Sequence, residues 1–497
     1  MMKNEKILIA ILFLITVLPQ VVRAQTQKGN RPNIIVILAD DLGYGDVGFT
    51  GCKDIKTPQL DALASNGIIC TNAYVTHPYC GPSRAGLLTG RYQARFGMEI
   101  NPTNSPFDLH MGLPLEEKTF GERLQKVGYK TAIIGKWHMG GAPPYHPNNR
   151  GFDHFYGFLS GGHSYFPSGI NAISPLINKN GDPNYCANEG DYKPLWRNNG
   201  AGEFKEYLTK ALSRDAAAFV KSTDKPFLLY LAYNAPHQPL EAPKETIKKY
   251  SHIENKYRRV YAAMIDEMDQ GIGMVVNALK ETGKLENTII FFLSDNGGDR
   301  GIKPWQPVHY TSNYPFKKGK GSFFEGGVHV PFFVHWPNGI NEALEFEGLV
   351  SSLDIASTAY AVAGVDTTGA KLDGIDLLPF IKKEKKGSPH EAIFWREYEG
   401  KSWAVRTVDS KYLLNKPGGQ PQLFDMKKDP YEDKNIVESQ SKKKAYLADL
   451  WNTWNVDNQP VIWLQSSDYQ KRRLQLYEDL HQEMLDKSSK RKPVLIE

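Results

Sequence analysis

Five short apolar runs rich in Val, Ile, Leu and Phe constrain the fold of this chain more than any other feature: "NIIVILA" (33–39), "KTAIIG" (130–135), "PFLLYLA" (226–232), "NTIIFFL" (287–293) and "VPFFVHW" (330–336). Each is strand-length, apolar almost throughout, and separated from the next by amphipathic sequence. That is the pattern of a mainly parallel sheet covered by helices on both faces. Between the runs, Thr119 followed by Glu122 is a capping-box pattern for a helix that stops at Gly128. Residues 254–283 read as a long helix, its buried face traced by Val260, Met264, Met268, Ile272, Val275, Val276 and Leu279. Beyond the Lys-rich stretch 382–387 the character changes. "AIFWREY", "SWAVRTV", "YLLNK" and "QLFDM" read as short strands of an antiparallel sheet, and helices are expected near 442–455 and 468–487.

At the N-terminus, Lys3 and Lys6 precede an apolar run from Ile7 to Leu18, and Val22-Arg23-Ala24 supplies the small residues of a cleavage site. The expected organisation is a signal peptide (1–24), a large domain (25–385) and a smaller C-terminal domain with a helical tail (386–497). The product is expected to be exported, periplasmic or secreted, without stable membrane insertion. The 497 residues carry a formal charge of +5; Lys3, Lys6, Arg23 and Glu5 contribute a net +2, leaving a mature chain near +3. Such a weak balance suits an anionic ligand in a local pocket and does not suggest a nucleic-acid-binding surface. Four cysteines are too few for a disulfide framework in so long a chain. Cys70 reads as a small buried hydrophobe, Cys52 and Cys186 are open to pairing, and Cys80 needs its own account.

Chemistry-bearing residues follow four of the strands: Asp40 and Asp41, then Lys136 and His138, then His237, then Asp295 and Asn296. Ligands of open α/β sheets bind beyond the carboxyl ends of the strands, so these residues are expected to converge on one crevice. Each motif alone is ordinary turn chemistry. Together, Asp40, Asp41, Asp295 and Asn296 supply hard oxygen donors suited to Ca²⁺, with Mg²⁺ the lesser fit. Lys136 and His138, two apart in an extended segment, are expected on one side. Lys320, between two glycines in "KKGKGSFFEGG", can approach a ligand closely. A divalent cation beside two ammonium groups is built to hold a tetrahedral oxyanion. A soft thiolate is a poor partner for such a metal; an oxygen at position 80 would make sense.

"CGPSRAGLLTG" (80–90) resembles the Cys-x-Pro-Ser-Arg signature of the type I sulfatases, in which the cysteine is oxidised to formylglycine. The resemblance extends through "PNIIVILADDLGYGD", "GYKTAIIGKWHMGG", "GFDHFYGF", "YNAPHQP", "SDNGG", "KGKGSFFEGG" and "LFDMKKDPYE", in the family's order from about Pro32 to Glu432. It implies an alkaline-phosphatase-like α/β sandwich, and a formylglycine-generating or sulfatase-maturating enzyme that reads residues 80–90. It further implies that modified Cys80, Asp40, Asp41, Asp295 and Asn296 bind Ca²⁺, that Arg84 steadies the aldehyde hydrate, and that Lys136, His138, His237 and Lys320 surround the sulfate. His237, with Lys320, would protonate the departing oxygen, and His138 would accept the proton that releases sulfate. His329 stands where the family often has Arg.

The expected substrate is a sulfated carbohydrate, with His163, Trp305, His309, Trp395 and Arg396 as candidate sugar contacts. A phosphomonoester or phosphonate-ester hydrolase, or a non-catalytic glycan-binding relative, are the alternative readings. The sugar and the sulfated position are left open.

Overall fold

The computed structural model describes residues 31–102, 108–167, 195–300, 302–303, 306–307, 309–462, 482 and 486. The predicted signal peptide, Cys186, Trp305 and nearly all of the second C-terminal helix lie outside the described residues.

The alternation of side chains along a strand explains why the first apolar run carries no polar residue after Asn33. In β1 (Asn33–Ala39), Ile34, Val36 and Leu38 join one hydrophobic cluster while Ile35, Ile37 and Ala39 join another. Both faces are therefore covered. The other main strands are β2 (Ile68–Cys70), β3 (Lys130–Lys136), β4 (His154–Phe158), β5 (Leu195–Arg197), β6 (Gly200–Gly202), β7 (Phe227–Ala232), β8 (Thr288–Ser294), β9 (Phe332–His335) and β10 (Leu344–Phe346). They form one ten-stranded sheet in the order β10-β2-β9-β8-β1-β7-β3-β4-β5-β6. Its centre, from β8 through β1, β7 and β3 to β4, is parallel, whereas β9 runs antiparallel to β8 and β2.

One face is covered by α1 (Pro58–Ser65), α2 (Leu208–Ser222) and α3 (Lys256–Glu281), the last with Val260, Met264, Met268, Ile272, Val275, Val276 and Leu279 buried as the sequence pattern requires. On the other face lie the helices Cys80–Thr89, Phe120–Lys126 and Asp354–Ala363. The Phe120–Lys126 helix starts with the expected reciprocal bonds between Thr119 and Glu122.

A second, four-stranded antiparallel sheet contains β11 (Ala392–Glu397), β12 (Ser402–Thr407), β13 (Ser410–Leu414) and β14 (Gln422–Asp425). It follows the exposed stretch 382–387 and is backed by a helix at Ser441–Asn455. Ile393, Trp395, Ala404, Leu413 and Phe424 from this sheet belong to the same hydrophobic cluster as β1, so the two sheets share a core. Among the described residues, no helix is long and apolar enough to cross a membrane.

Candidate active site

The carboxyl ends of β1, β3, β7 and β8 open on one crevice, and the residues that follow them meet there. Asp40 and Asp41 follow β1, and Asp41 takes a left-handed φ of 59°. Lys136 ends β3 and its Nζ lies 2.7 Å from Asp40 Oδ2, with both side chains wholly buried. Asp295 and Asn296 follow β8; Asp295 accepts from the Asp41 N–H at 3.2 Å, and Asn296 Nδ2 donates to Asp41 Oδ1 at 2.7 Å.

Cys80 enters from the opposite wall as the first residue of the Cys80–Thr89 helix, every residue of which is buried. Pro82 sits in the first turn, where its missing N–H costs nothing, and Gly90 closes the helix with φ 68° and an N–H bond to Gly86. Arg84 is one turn beyond Cys80 and so shares its face. Its guanidinium bonds Asp295 Oδ2 at 2.8 Å and the Lys136 carbonyl at 3.1 Å. Cys80 Sγ lies 3.6 Å from Asp40 Oδ1 and 3.9 Å from Asp41 Oδ1. Lys320 completes this group, its Nζ 2.7 Å from Asp41 Oδ1 and 3.3 Å from Cys80 Sγ.

His237 reaches the same group: its Nδ1–H donates to the Gln238 carbonyl at 2.6 Å, leaving Nε2 3.6 Å from Asp41 Oδ2. His138 is buried, and its Nδ1 has no hydrogen-bond partner among the described residues. It does not get there by strand alternation. β3 ends at Lys136, and His138 turns back with φ 60°, so the expected shared side of an extended segment is replaced by a left-handed turn.

Charge is balanced within the cluster, Arg84, Lys136 and Lys320 standing against Asp40, Asp41 and Asp295. Burial alone would push the Asp40 carboxyl up, but Lys136, His237, Arg84 and Lys320 together hold it well below the usual range. Burial and the charge of Asp40 push Asp295 up to about 6. Burial, then the positive charge of Lys136, keeps His138 far below its ordinary value, hence neutral. The Cys80 thiol is pushed up by burial despite the ammonium groups nearby, which is the wrong environment for a thiolate nucleophile.

Asp40, Asp41, Cys80 and His237 offer donor atoms within 4.8 Å of one another. Asn296 Oδ1 is buried and has no hydrogen-bond partner among the described residues. An orphaned amide oxygen beside two carboxylates matches the donor set of a hard divalent cation.

The outer candidates divide. His163 packs against Phe158 and Phe204, and its carbonyl accepts from Asn234 in the loop that carries His237. His309 is exposed, with Nε2 3.3 Å from Arg300. Trp395 and Arg396 do not serve as sugar contacts. Trp395 is fully buried, donating to the Val75 carbonyl at 2.8 Å, and Arg396 is 4% exposed and tied to Glu99 and Asn455. Consecutive residues of β11 face opposite sides, so Trp395 packs into the core shared by the two sheets while Arg396 turns to Glu99, Asn455 and the Gln459 carbonyl.

Two positioning groups were not anticipated. Ser294 Oγ accepts from Leu42 N and donates to the Asn296 carbonyl, joining the loops after β1 and β8; Tyr261 OH donates to the Asp41 carbonyl at 3.3 Å. Tyr261 sits beside Val260 at the start of α3, and nothing in the sequence says where its hydroxyl ends.

The sequence model of the family described as Sulfatase matches residues 32–365. The chain belongs to the type I sulfatase family. A second family model, described as N-sulphoglucosamine sulphohydrolase, C-terminal, matches residues 318–456 of this sulfatase. The uncharacterized sulfatase YdeN of Escherichia coli (strain K12) is 32% identical over 423 residues, 73% of this chain and 68% of YdeN. Human N-acetylgalactosamine-6-sulfatase is 34% identical over 358 residues, 70% of this chain and 66% of that enzyme. The crystal structure of Ps i-CgsB in complex with k-i-k-neocarrahexaose superposes with a TM-score of 0.79 at 38% identity, covering 89% of this sulfatase and 97% of Ps i-CgsB. The fold is thus the alkaline-phosphatase-like sandwich, and the enzyme is a sulfuric ester hydrolase.

Proposed function

We propose that this sulfatase removes sulfate from a sulfated carbohydrate, with a formylglycine made from Cys80 and with Ca²⁺ as its metal. The observation that carries the reading is the meeting of Cys80 Sγ with the Lys320 ammonium at 3.3 Å, against the carboxylates of Asp40 and Asp41. A buried thiol held away from its thiolate form is poorly placed as a nucleophile; the same position carrying oxygen is well placed. Formylglycine hydrate supplies two hydroxyls on one carbon, one to attack sulfur and one whose ionisation frees sulfate. Asp40, Asp41, Asp295, Asn296 and modified Cys80 would hold Ca²⁺, which as a Lewis acid polarises sulfate oxygens and acidifies a hydroxyl.

The chain's own groups do the rest. Lys136 and Lys320 offer ammonium donors to the sulfate oxygens as negative charge builds. Arg84 orients Asp295 and the residue at position 80 from one turn away. His237, its Nδ1–H tied to the Gln238 carbonyl, presents Nε2 to give a proton to the departing sugar oxygen, with Lys320 beside it. His138, neutral and with a ring nitrogen that has no hydrogen-bond partner among the described residues, accepts the proton whose loss frees sulfate. A carbohydrate is supported by Ps i-CgsB, solved with k-i-k-neocarrahexaose, and by the sugar named in the human relative. His163 and His309 are the remaining candidate sugar contacts. Export through residues 1–24 to the periplasm or medium, and a maturating enzyme reading residues 80–90, complete the proposal.

Protein co-expressed with a maturating enzyme should give a Cys80 peptide with the mass of an aldehyde or its hydrate, and should release sulfate from a panel of sulfated saccharides. Unmodified thiol in active protein would overturn the mechanism. A faster rate on an aryl phosphate than on the matching aryl sulfate would overturn the assigned ester.

A further inference from the structure

Lys320 is carried by a segment with little of its own to hold it. Gly319 and Gly321 flank it, and a Cβ at either would collide, with Gly298 O at 2.4 Å or the Tyr79 hydroxyl at 2.7 Å. A long, flexible ammonium chain on such a backbone reaches a fixed point only if the backbone is held. The inner side bonds this backbone from Lys320 N to Gly298 O, from Gly321 N to Pro78 O, and from Asn313 Nδ2 to Lys318 O at 3.1 Å. Further anchors come from the second sheet and the residues after it.

At the near end, Lys317 Nζ donates to the Glu432 carbonyl at 2.9 Å and lies 2.8 Å from Asp433 Oδ1. At the far end, Asn415 Oδ1 accepts from Ser322 Oγ at 3.1 Å and Phe323 N at 2.7 Å, and Glu432 Oε2 accepts from Glu325 N at 2.8 Å. Beneath them, Lys411 of β13 stands between two buried carboxylates, its Nζ 2.7 Å from Glu325 Oε1 and 3.0 Å from Glu432 Oε1. Without Lys411, Glu325 would keep only His329 at 2.9 Å and Arg406 at 4.0 Å as basic partners, Glu432 Oε1 would lose its ammonium partner, and the grip on residues 322–325 would loosen.

We propose that Lys411, with Asn415 and Glu432, is a positioning residue for the reaction: the second sheet clamps residues 317–325 and so aims the Lys320 ammonium at Cys80 and Asp41. This rests on the reading of Lys320 as a group that works on the sulfate ester.

The test is a double-mutant cycle on matured protein, with rates divided by the formylglycine content of each sample. Lys411→Met and Asn415→Ala should each lower kcat about tenfold, within the coupling known for residues of one network, and should add little in a Lys320→Ala background. Lys411→Arg should restore part of the loss. In unmatured protein, hydrogen exchange should show faster exchange at the Lys320 and Gly321 amides, with the amides of β1 and β8 unchanged. Asn415→Ala, which leaves the buried charges intact, decides the matter if Lys411→Met does not fold. Losses that add fully to that of Lys320→Ala, or unchanged exchange at residues 320–321, would overturn the clamp while leaving Lys320's role standing. A Lys320→Ala protein of full activity would overturn that role, and the clamp's purpose with it.

Discussion

The Lys136 ammonium lies 2.7 Å from Asp40 Oδ2, and neither side chain touches solvent. Removing one partner of such a pair leaves an uncompensated charge, here beside Asp41 and Asp295. Lys136→Met is expected to cost about 3 kcal/mol of stability in chelator, the lower end of what breaking a buried pair costs. Added Ca²⁺ should recover more of the midpoint in the variant than it adds to the wild type, because the cation replaces the missing positive charge. Denaturant melts with and without Ca²⁺ measure both; an equal Ca²⁺ shift in the two proteins would contradict the charge replacement, and no shift in either would contradict a metal at these carboxylates.

His237 makes a prediction about the leaving group. If Nε2 protonates the departing oxygen, His237→Ala should slow a sugar sulfate, whose alkoxide is a poor leaving group, by about 10²–10⁴-fold. An activated aryl sulfate, which needs no proton to depart, should be slowed far less. Equal losses on both would point to metal binding or positioning for His237.

The His390–Asp354 pair gives a pH signature remote from the crevice. Burial works against the charged ring, yet Asp354, with its Oδ1 2.7 Å away, holds His390 above its ordinary pKa. A group raised on folding adds stability that is fully present below its unfolded value, about 6.5, and is lost as pH rises through the folded value. The stability difference between wild type and His390→Gln should therefore be largest below pH of about 6 and shrink above it. Melts across pH 5 to 9 check this; a gap that widened with pH would contradict the charged pair.

Thr119 tests the local level. Its side chain accepts from Glu122 N at 3.1 Å and closes the capping box. Thr119→Ala should cost about 1 kcal/mol, and Thr119→Ser much less, by denaturant melts.

The main sheet was legible because a strand covered on both faces must be apolar along its middle, as β1, β3, β7 and β8 are, with polar residues such as Asn33, Lys136 and Ser294 only towards their ends. The crevice was legible for the same reason: Asp40, Asp41, Asp295 and Asn296 could only be where those strands end. The turn at His138 was not, since a left-handed residue other than glycine leaves no mark in composition. Trp395 and Arg396 were misread because an aromatic and an arginine at a strand end look alike whether they face a sugar or a core. The pairing of Glu325 with Lys411, 86 residues apart in the chain, has no local signal at all.

The helix from Cys80 to Thr89 is enclosed on every side by the finished fold. An enzyme that must grasp this stretch to oxidise the thiol can do so only while the polypeptide is still open. If Cys80 is converted as proposed, conversion would have a deadline set by the speed of folding, and a chain that closed early would be sound in architecture and chemically blank.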